Sequence, residues 1–243
     1  MSNVVESPTR LSSRAVAAGG VLAVVLTIVL VAGLDTGTAL TNPATLSRTI
    51  SEYGLGPQAW VFTSAVVLLA AGSMAVLFTF IRYGLLKPFS GASIALTLWS
   101  LGMVVIAIFP KQDRSMPSNA GGTIHRLASL VAFISLPIAA FLLAKAMSRR
   151  QEWTAFVRRT RVFGTLSVIM FSPLVYSIIV GAITGTAWWR VFPIGYVERG
   201  LLLAEVLTVL VIGIWALEVS KKDSLLVTAA EMPQAQVASG RPA

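Results

Sequence analysis

The sequence contains no cysteine, a single histidine and few charged residues. The absence of cysteine excludes disulfide frameworks, thiol nucleophiles, iron–sulfur clusters and cysteine-ligated zinc. One imidazole, that of His125, cannot supply the two or three histidines that a catalytic zinc site commonly uses. We therefore expect neither a metal ion nor a cofactor. Only 12% of the residues are charged, which is about half the usual share in a soluble domain.

Short motifs of known chemistry are also missing from the chain. We find no G-x-S-x-G elbow, P-loop, dinucleotide fingerprint or H-E-x-x-H pair. These absences favour a protein without enzymatic turnover. Alternation of apolar and polar residues, which is typical of outer-membrane barrels, is absent too. The apolar runs are continuous, and in lipid this pattern predicts helices, because each helix satisfies its own backbone amides.

Long hydrophobic runs are what the chain has in abundance. Hydrophobic residues make up 56% of it, and its mean hydropathy is +0.80. A helix needs about 20 residues to cross a hydrocarbon core of about 30 Å. Six runs meet this length: Ala15–Leu34, Ala59–Ile81, Phe89–Phe109, His125–Lys145, Val162–Thr184 and Val197–Leu217. The sequence predicts an all-α integral membrane protein with six transmembrane helices within residues 15–220. Pro137 and Pro173 lie inside the fourth and fifth runs and predict kinks.

The basic residues predict the orientation of these helices. Thirteen of the nineteen fall on one side: Arg10, Arg14, Arg82, Lys87, Lys145, Arg149, Arg150, Arg158, Arg159, Arg161, Lys221, Lys222 and Arg241. The excess of lysine and arginine on cytoplasmic loops places both termini in the cytoplasm. Residues 1–14 then form a cytoplasmic segment and residues 221–243 a disordered cytoplasmic tail. We assign the net charge of +9 to topology and anionic lipids, and expect no nucleic acid partner.

The connector Arg149–Arg161 carries apolar side chains among five arginines. Trp153, Phe156 and Val157 recur at helical spacing there. This pattern predicts a short helix in the headgroup layer, with the apolar side chains in lipid and the arginines on anionic headgroups.

A second set of polar residues lies on the predicted outer side, at the ends of the helices. Its members are Glu52, Tyr53, Asp113, His125, Arg126, Glu198, Arg199 and Glu205. Glu205 lies about 10 Å further into the membrane than Glu198, at about 1.5 Å per residue. A carboxylate inside hydrocarbon is costly, so Glu205 should face the bundle interior, be protonated, or pair with Arg126, Arg199 or His125. A small outward-facing polar cavity would accommodate the whole set.

A purely structural role is the alternative for each of these residues. Buried polar side chains can join helices through hydrogen bonds. Residues at a helix start can lie in the headgroup layer, where the helix dipole favours Glu198.

Four short segments carry a resemblance to a known family. They are residues 50–57 (ISEYGLGP), Phe109-Pro110 followed by Asp113, residues 125–128 (HRLA) and residues 195–199 (GYVER). Together they resemble the prokaryotic membrane family known as domain of unknown function 998, over residues 15–220, with a more distant similarity to DRAM/Sfk-type six-span proteins. The resemblance implies a multi-pass protein of a prokaryotic plasma membrane. It also implies that Asp113, His125, Glu198 and Arg199 hold the family's motif positions.

Three functions fit these observations. The first is binding of a lipid or small amphiphile in an outward pocket framed by Arg126, Arg199 and Glu205, with the loop Thr49–Pro57 as a cap. The second is ion- or proton-coupled transport with Glu205 as the titrating group; because the six helices show no repeat, this requires a homodimer. The third is a membrane-embedded hydrolase with His125 as general base and Asp113 or Glu198 as its orienting carboxylate.

Overall fold

The part of the chain that the structure describes is a bundle of six long α-helices. The computed structural model describes residues 8–113, 115–117 and 119–239, and this part of the chain contains no strand. The helices are α1 (Pro8–Thr41), α2 (Ala59–Arg82), α3 (Gly91–Ile108), α4 (Ala120–Met147), α5 (Thr154–Thr184) and α6 (Ile194–Ser239). All six are long and apolar enough to cross a membrane, which confirms the predicted fold class.

The helices form a closed ring in chain order. Each packs against the next, and α6 returns to α1. Helix α6 also contacts α2 and α4 across the ring. We call the end of the bundle where α1, α3 and α5 finish the cavity end, and the opposite end the basic end.

Small residues set the closest helix crossings. A Cβ on Gly72 of α2 would lie 2.8 Å from the carbonyl oxygen of Gly20 on α1, and a Cβ on Gly164 of α5 would lie 3.1 Å from the Cβ of Ala140 on α4. Backbones approach this closely only where side chains are absent or small. The α4–α5 crossing lies towards the basic end, and beyond Ser167 the only buried residue of α5 is Ser177. The part of α5 near the cavity end is therefore poorly covered by protein.

The predicted headgroup-layer helix is not a separate element. A 3₁₀ helix over Gln151–Trp153 leads directly into α5. Trp153 and Val157 are buried, and the Trp153 ring packs 6.1 Å from that of Trp215 on α6. The prediction that these apolar side chains lie in lipid is wrong, because the Trp153 ring packs against the rings of Phe156 and Trp215 inside the protein. Contact of the exposed arginines with anionic headgroups stays a prediction.

The helix ends also differ from the predicted spans. Helix α4 begins at Ala120 instead of His125, because the Asn119 side chain accepts a hydrogen bond from the Gly122 amide at 2.7 Å and caps the helix. Helix α6 continues to Ser239, into the segment that we expected to be unstructured. Alanine, which has the highest helix propensity, occurs four times between residues 223 and 239.

Candidate functional site

A cavity of about 500 Å³ lies between α4, α5 and α6 at the cavity end. This volume is within the usual range for small-molecule sites. Along α4 its lining runs from Gly122 to Phe133, a depth of about 16 Å at about 1.5 Å per residue. Its charged side chains lie in the shallow part, beside Met116, Trp188 and Trp189. Its deep part is walled by apolar side chains: Leu130, Phe133, Leu174, Ile178 and Leu201. The cavity is therefore amphipathic along its length.

His125 lies in the wall where the polar part meets the apolar part. Its side chain is 4% exposed, and its Nδ1 lies 2.8 Å from the carbonyl oxygen of Phe109 at the end of α3. A carbonyl only accepts hydrogen bonds, so Nδ1 carries a proton, and when the ring is neutral Nε2 keeps its lone pair. Phe109 thus fixes the tautomer, a role that sequence reasoning gave to a carboxylate.

On α6, Glu198 lines the same cavity as His125. One carboxyl oxygen, Oε1, accepts a hydrogen bond from the Ser51 amide at 3.2 Å. The other, Oε2, is buried and has no hydrogen-bond partner among the described residues. Glu198 and His125 both line the large cavity and also a second cavity of about 50 Å³ behind it. They form the partition between the two spaces.

An ion pair joins the first loop to the third at the mouth of the cavity. Lys111 Nζ lies 2.9 Å from Glu52 Oε1, and it also donates a hydrogen bond to the Thr49 hydroxyl. Lys111 and Thr49 line the cavity. Glu52 thus reaches the site through Lys111, and it helps to hold the 3₁₀ helix Ile50–Leu55 over the mouth.

Asp113 and Arg126 also line the cavity, but they do not contact each other. Asp113 accepts hydrogen bonds from the amide and hydroxyl of Ser115 at 2.9 and 2.8 Å. These bonds lower the pKa of the Asp113 carboxyl below its usual value. The Arg126 guanidinium donates to the Thr123 hydroxyl at 3.0 Å and has no carboxylate partner among the described residues. Asp113 therefore stabilises its own turn and does not orient His125.

Arg199 and Tyr53 lie outside the cavity and clamp α1 to α6. Arg199 binds both carboxylate oxygens of Asp35, at 2.9 and 3.0 Å, and donates to the carbonyls of Leu46 and Arg48 at 2.8 and 2.7 Å. The Tyr53 hydroxyl donates to Asp35 at 2.8 Å. Burial is the main cause that raises the pKa of this phenol. The expectation that Arg199 frames the pocket is wrong, because its guanidinium N–H groups donate to Asp35 and to the carbonyls of Leu46 and Arg48.

Glu205 lies deeper in α6, away from both cavities. It is fully buried, and neither carboxyl oxygen has a partner among the described residues. Of the three alternatives for Glu205, the structure shows the side chain inside the bundle, and pairing with Arg126, Arg199 or His125 is absent from the described contacts. The expectation that Glu205 frames the pocket is wrong, because it lines neither cavity. One turn further along, Thr208 lies 3.3 Å from Ser167 of α5. Glu205 is thus separate from the cavity.

Sequence reasoning missed Asp35 and did not include Lys111 in the site. Asp35 follows the predicted end of the first span, on the same side as Arg199. An acidic residue at a span end facing a predicted unpaired arginine is the signal that could have identified it. Lys111 is one of the six basic residues outside the predicted cytoplasmic set, and no pattern in the sequence places it in the site.

Comparison with known proteins gives one family match. Residues 17–215 match the family described as "Protein of unknown function (DUF998)". The match covers nearly the whole segment over which the resemblance was expected. No curated protein and no solved structure matches the chain. The similarity to DRAM/Sfk-type proteins stays a prediction.

Proposed function

The chain belongs to the DUF998 family, and on that premise we propose that it binds a lipid or small amphiphile in the cavity between α4, α5 and α6. The amphipathic lining is the observation that carries this proposal. Polar and charged side chains meet at the mouth, while the deep part is walled by leucine, isoleucine and phenylalanine. Such a gradient matches a molecule with a polar head and a hydrocarbon tail.

The depth of the cavity supports binding of a chain from one leaflet. About 16 Å along α4 is roughly half of the 30 Å hydrocarbon core. Leu127 and Ile178 line the cavity and are 58% and 43% exposed. These side chains line the cavity and are also partly exposed at the surface of the bundle. A hydrocarbon tail can therefore enter the cavity from the surrounding lipid, between α4 and α5. With both termini in the cytoplasm, the tail would come from the outer leaflet of a prokaryotic plasma membrane.

Two tryptophan substitutions in α5 test the proposal. The Ile178→Trp substitution fills the cavity and should weaken binding of a fluorescent single-chain amphiphile by about tenfold or more, since the tail loses its space. The matched control is Ile179→Trp, because Ile179 is 51% exposed and does not line the cavity. Binding would be measured by fluorescence titration of the full chain in detergent. Equal affinities for both variants would contradict the proposal.

Proton-coupled transport is a second candidate, favoured only by Glu205. A buried carboxyl without a partner inside a membrane span is a functional candidate by default. The Glu205→Gln substitution would abolish such transport in vesicles, but it would leave amphiphile binding unchanged. The hydrolase has less support, because His125 is oriented by a carbonyl and Asp113 is engaged with Ser115.

A further inference from the structure

Two polar atoms in the cavity wall lack hydrogen-bond partners among the described residues. One is Glu198 Oε2, which is buried. The other is His125 Nε2, whose ring is held through Nδ1 by the Phe109 carbonyl. Glu198 Oε2 is buried, and a buried polar atom without a partner is costly. His125 lines the cavity, so a ligand bound there can form a hydrogen bond with Nε2.

The two atoms lie at the depth in the cavity where the polar head group of a bound amphiphile would join its hydrocarbon tail. On α4, His125 has Gly122 towards the mouth and Phe133 towards the deep end. On α6, Glu198 lies between Ile194 and Leu201 in the same way. A polar group bound there would thus be next to the hydrocarbon, instead of out in the headgroup layer.

The hydrogen-bonding capacities of the two atoms restrict the chemistry of that group. Nε2 of His125 can only accept, because Nδ1 holds the proton of the neutral ring. Glu198 Oε2 accepts when the carboxyl is ionised and can donate when it is protonated. An ester or a carboxylate offers only acceptors and would leave Nε2 unpaired. A hydroxyl both donates and accepts, so one hydroxyl satisfies His125 and a protonated Glu198. When Glu198 is ionised, both wall atoms are acceptors, and two neighbouring hydroxyls that donate one hydrogen each satisfy them.

We propose that the amphiphile bound in this cavity carries a hydroxyl group next to its hydrocarbon chain, recognised by His125 Nε2 and Glu198 Oε2. This inference rests on the proposed amphiphile-binding function and names the ligand class for the same site. A long-chain alcohol or a long-chain 1,2-diol has the required chemistry, whereas a fatty-acid methyl ester does not.

The test compares two probes that differ only in hydroxyl groups. A long-chain 1,2-diol and its dimethyl ether would compete with a fluorescent amphiphile for the full-length protein in detergent. We expect the free hydroxyl form to bind about tenfold more tightly, because the capped form leaves the wall atoms unpaired. His125→Phe should reduce this preference to less than about threefold. Tyr176→Phe is the control, since it removes a hydroxyl from α5 outside the cavity lining.

Each outcome separates this inference from the function on which it rests. Equal binding of the two probes would overturn the hydroxyl inference and leave amphiphile binding standing. If neither probe competes although Ile178→Trp abolishes binding of the fluorescent amphiphile, the hydroxyl inference fails alone. If no amphiphile binds at all, the proposed function fails. Preference for an alkylammonium of equal chain length would also overturn the inference. Should His125→Phe fail to fold, the ratio of the two probes on the unmodified protein still decides.

Discussion

At the scale of single residues, Arg199 makes more hydrogen bonds than any other charged side chain described in the bundle. Its guanidinium binds the carboxylate of Asp35 with two bonds and the carbonyls of two residues in the first loop. The paired side chains are only 16% and 27% exposed, so solvent screens the pair incompletely. Planar bidentate binding of this kind is specific to arginine.

We expect Arg199→Lys to lower the free energy of unfolding by about 2 kcal/mol, because lysine cannot replace the fork of charge-assisted bonds. The melting temperature in detergent measures the loss. Arg126→Lys is the control, since Arg126 donates only to the Thr123 hydroxyl. This variant should have the same melting temperature as the unmodified protein. An unchanged melting temperature for Arg199→Lys would show that the clamp contributes nothing to stability and would contradict the prediction.

Individual site residues were predictable only in part. Asp113, His125, Arg126 and Glu198 were predicted, and they line the cavity. Their positions at helix ends on one side of the membrane were enough to bring them together. Arg199 was misplaced because its sequence position gives no information about Asp35, which lies 164 residues away. Helical periodicity shows which residues share a face, but it does not show which neighbouring helix that face contacts.

At the scale of elements, glycine positions determine how closely the helices approach. Gly72 and Gly33 give a matched pair, because a Cβ on Gly72 would meet the Gly20 carbonyl at 2.8 Å, while a Cβ on Gly33 would meet nothing within 4 Å. Gly72→Ala should therefore destabilise the α1–α2 pair by about 1–3 kcal/mol through overpacking. Gly33→Ala should leave stability unchanged or raise it, since alanine favours the helix. Thermal unfolding of both variants in one detergent makes the comparison, and equal losses would contradict the packing described for α1 and α2.

The number and order of the helices followed from the sequence, whereas several of their ends did not. Apolar runs of sufficient length identify each span, because the hydrocarbon core leaves no alternative. The start of α5 was misjudged because Trp153 and Val157 look like interfacial anchors until Trp215 is known to lie beside them. Local sequence cannot distinguish an indole that faces lipid from one that faces another helix.

At the scale of the whole molecule, the orientation in the membrane is open to a direct test. The chain has no cysteine, so single cysteines introduced into it provide the only thiols. We expect a cysteine at Gln58, before α2, to react with a membrane-impermeant maleimide in intact cells. A cysteine at Ser148, after α4, should react only after lysis, because the basic loops favour the cytoplasm. The reverse pattern would invert the proposed topology and place the cavity on the cytoplasmic side.

The central claim is that a hydrocarbon tail lies in the cavity between α4, α5 and α6. Photolabelling with a monoacylglycerol that carries a diazirine in mid-chain tests it most directly, with adducts located by mass spectrometry of the digested protein. The account predicts adducts concentrated at Phe133, Leu174 and Leu201, which wall the deep part of the cavity, and their loss in Ile178→Trp. Adducts spread evenly over lipid-facing residues such as Val29 and Phe78, which are 60% and 52% exposed, would contradict it.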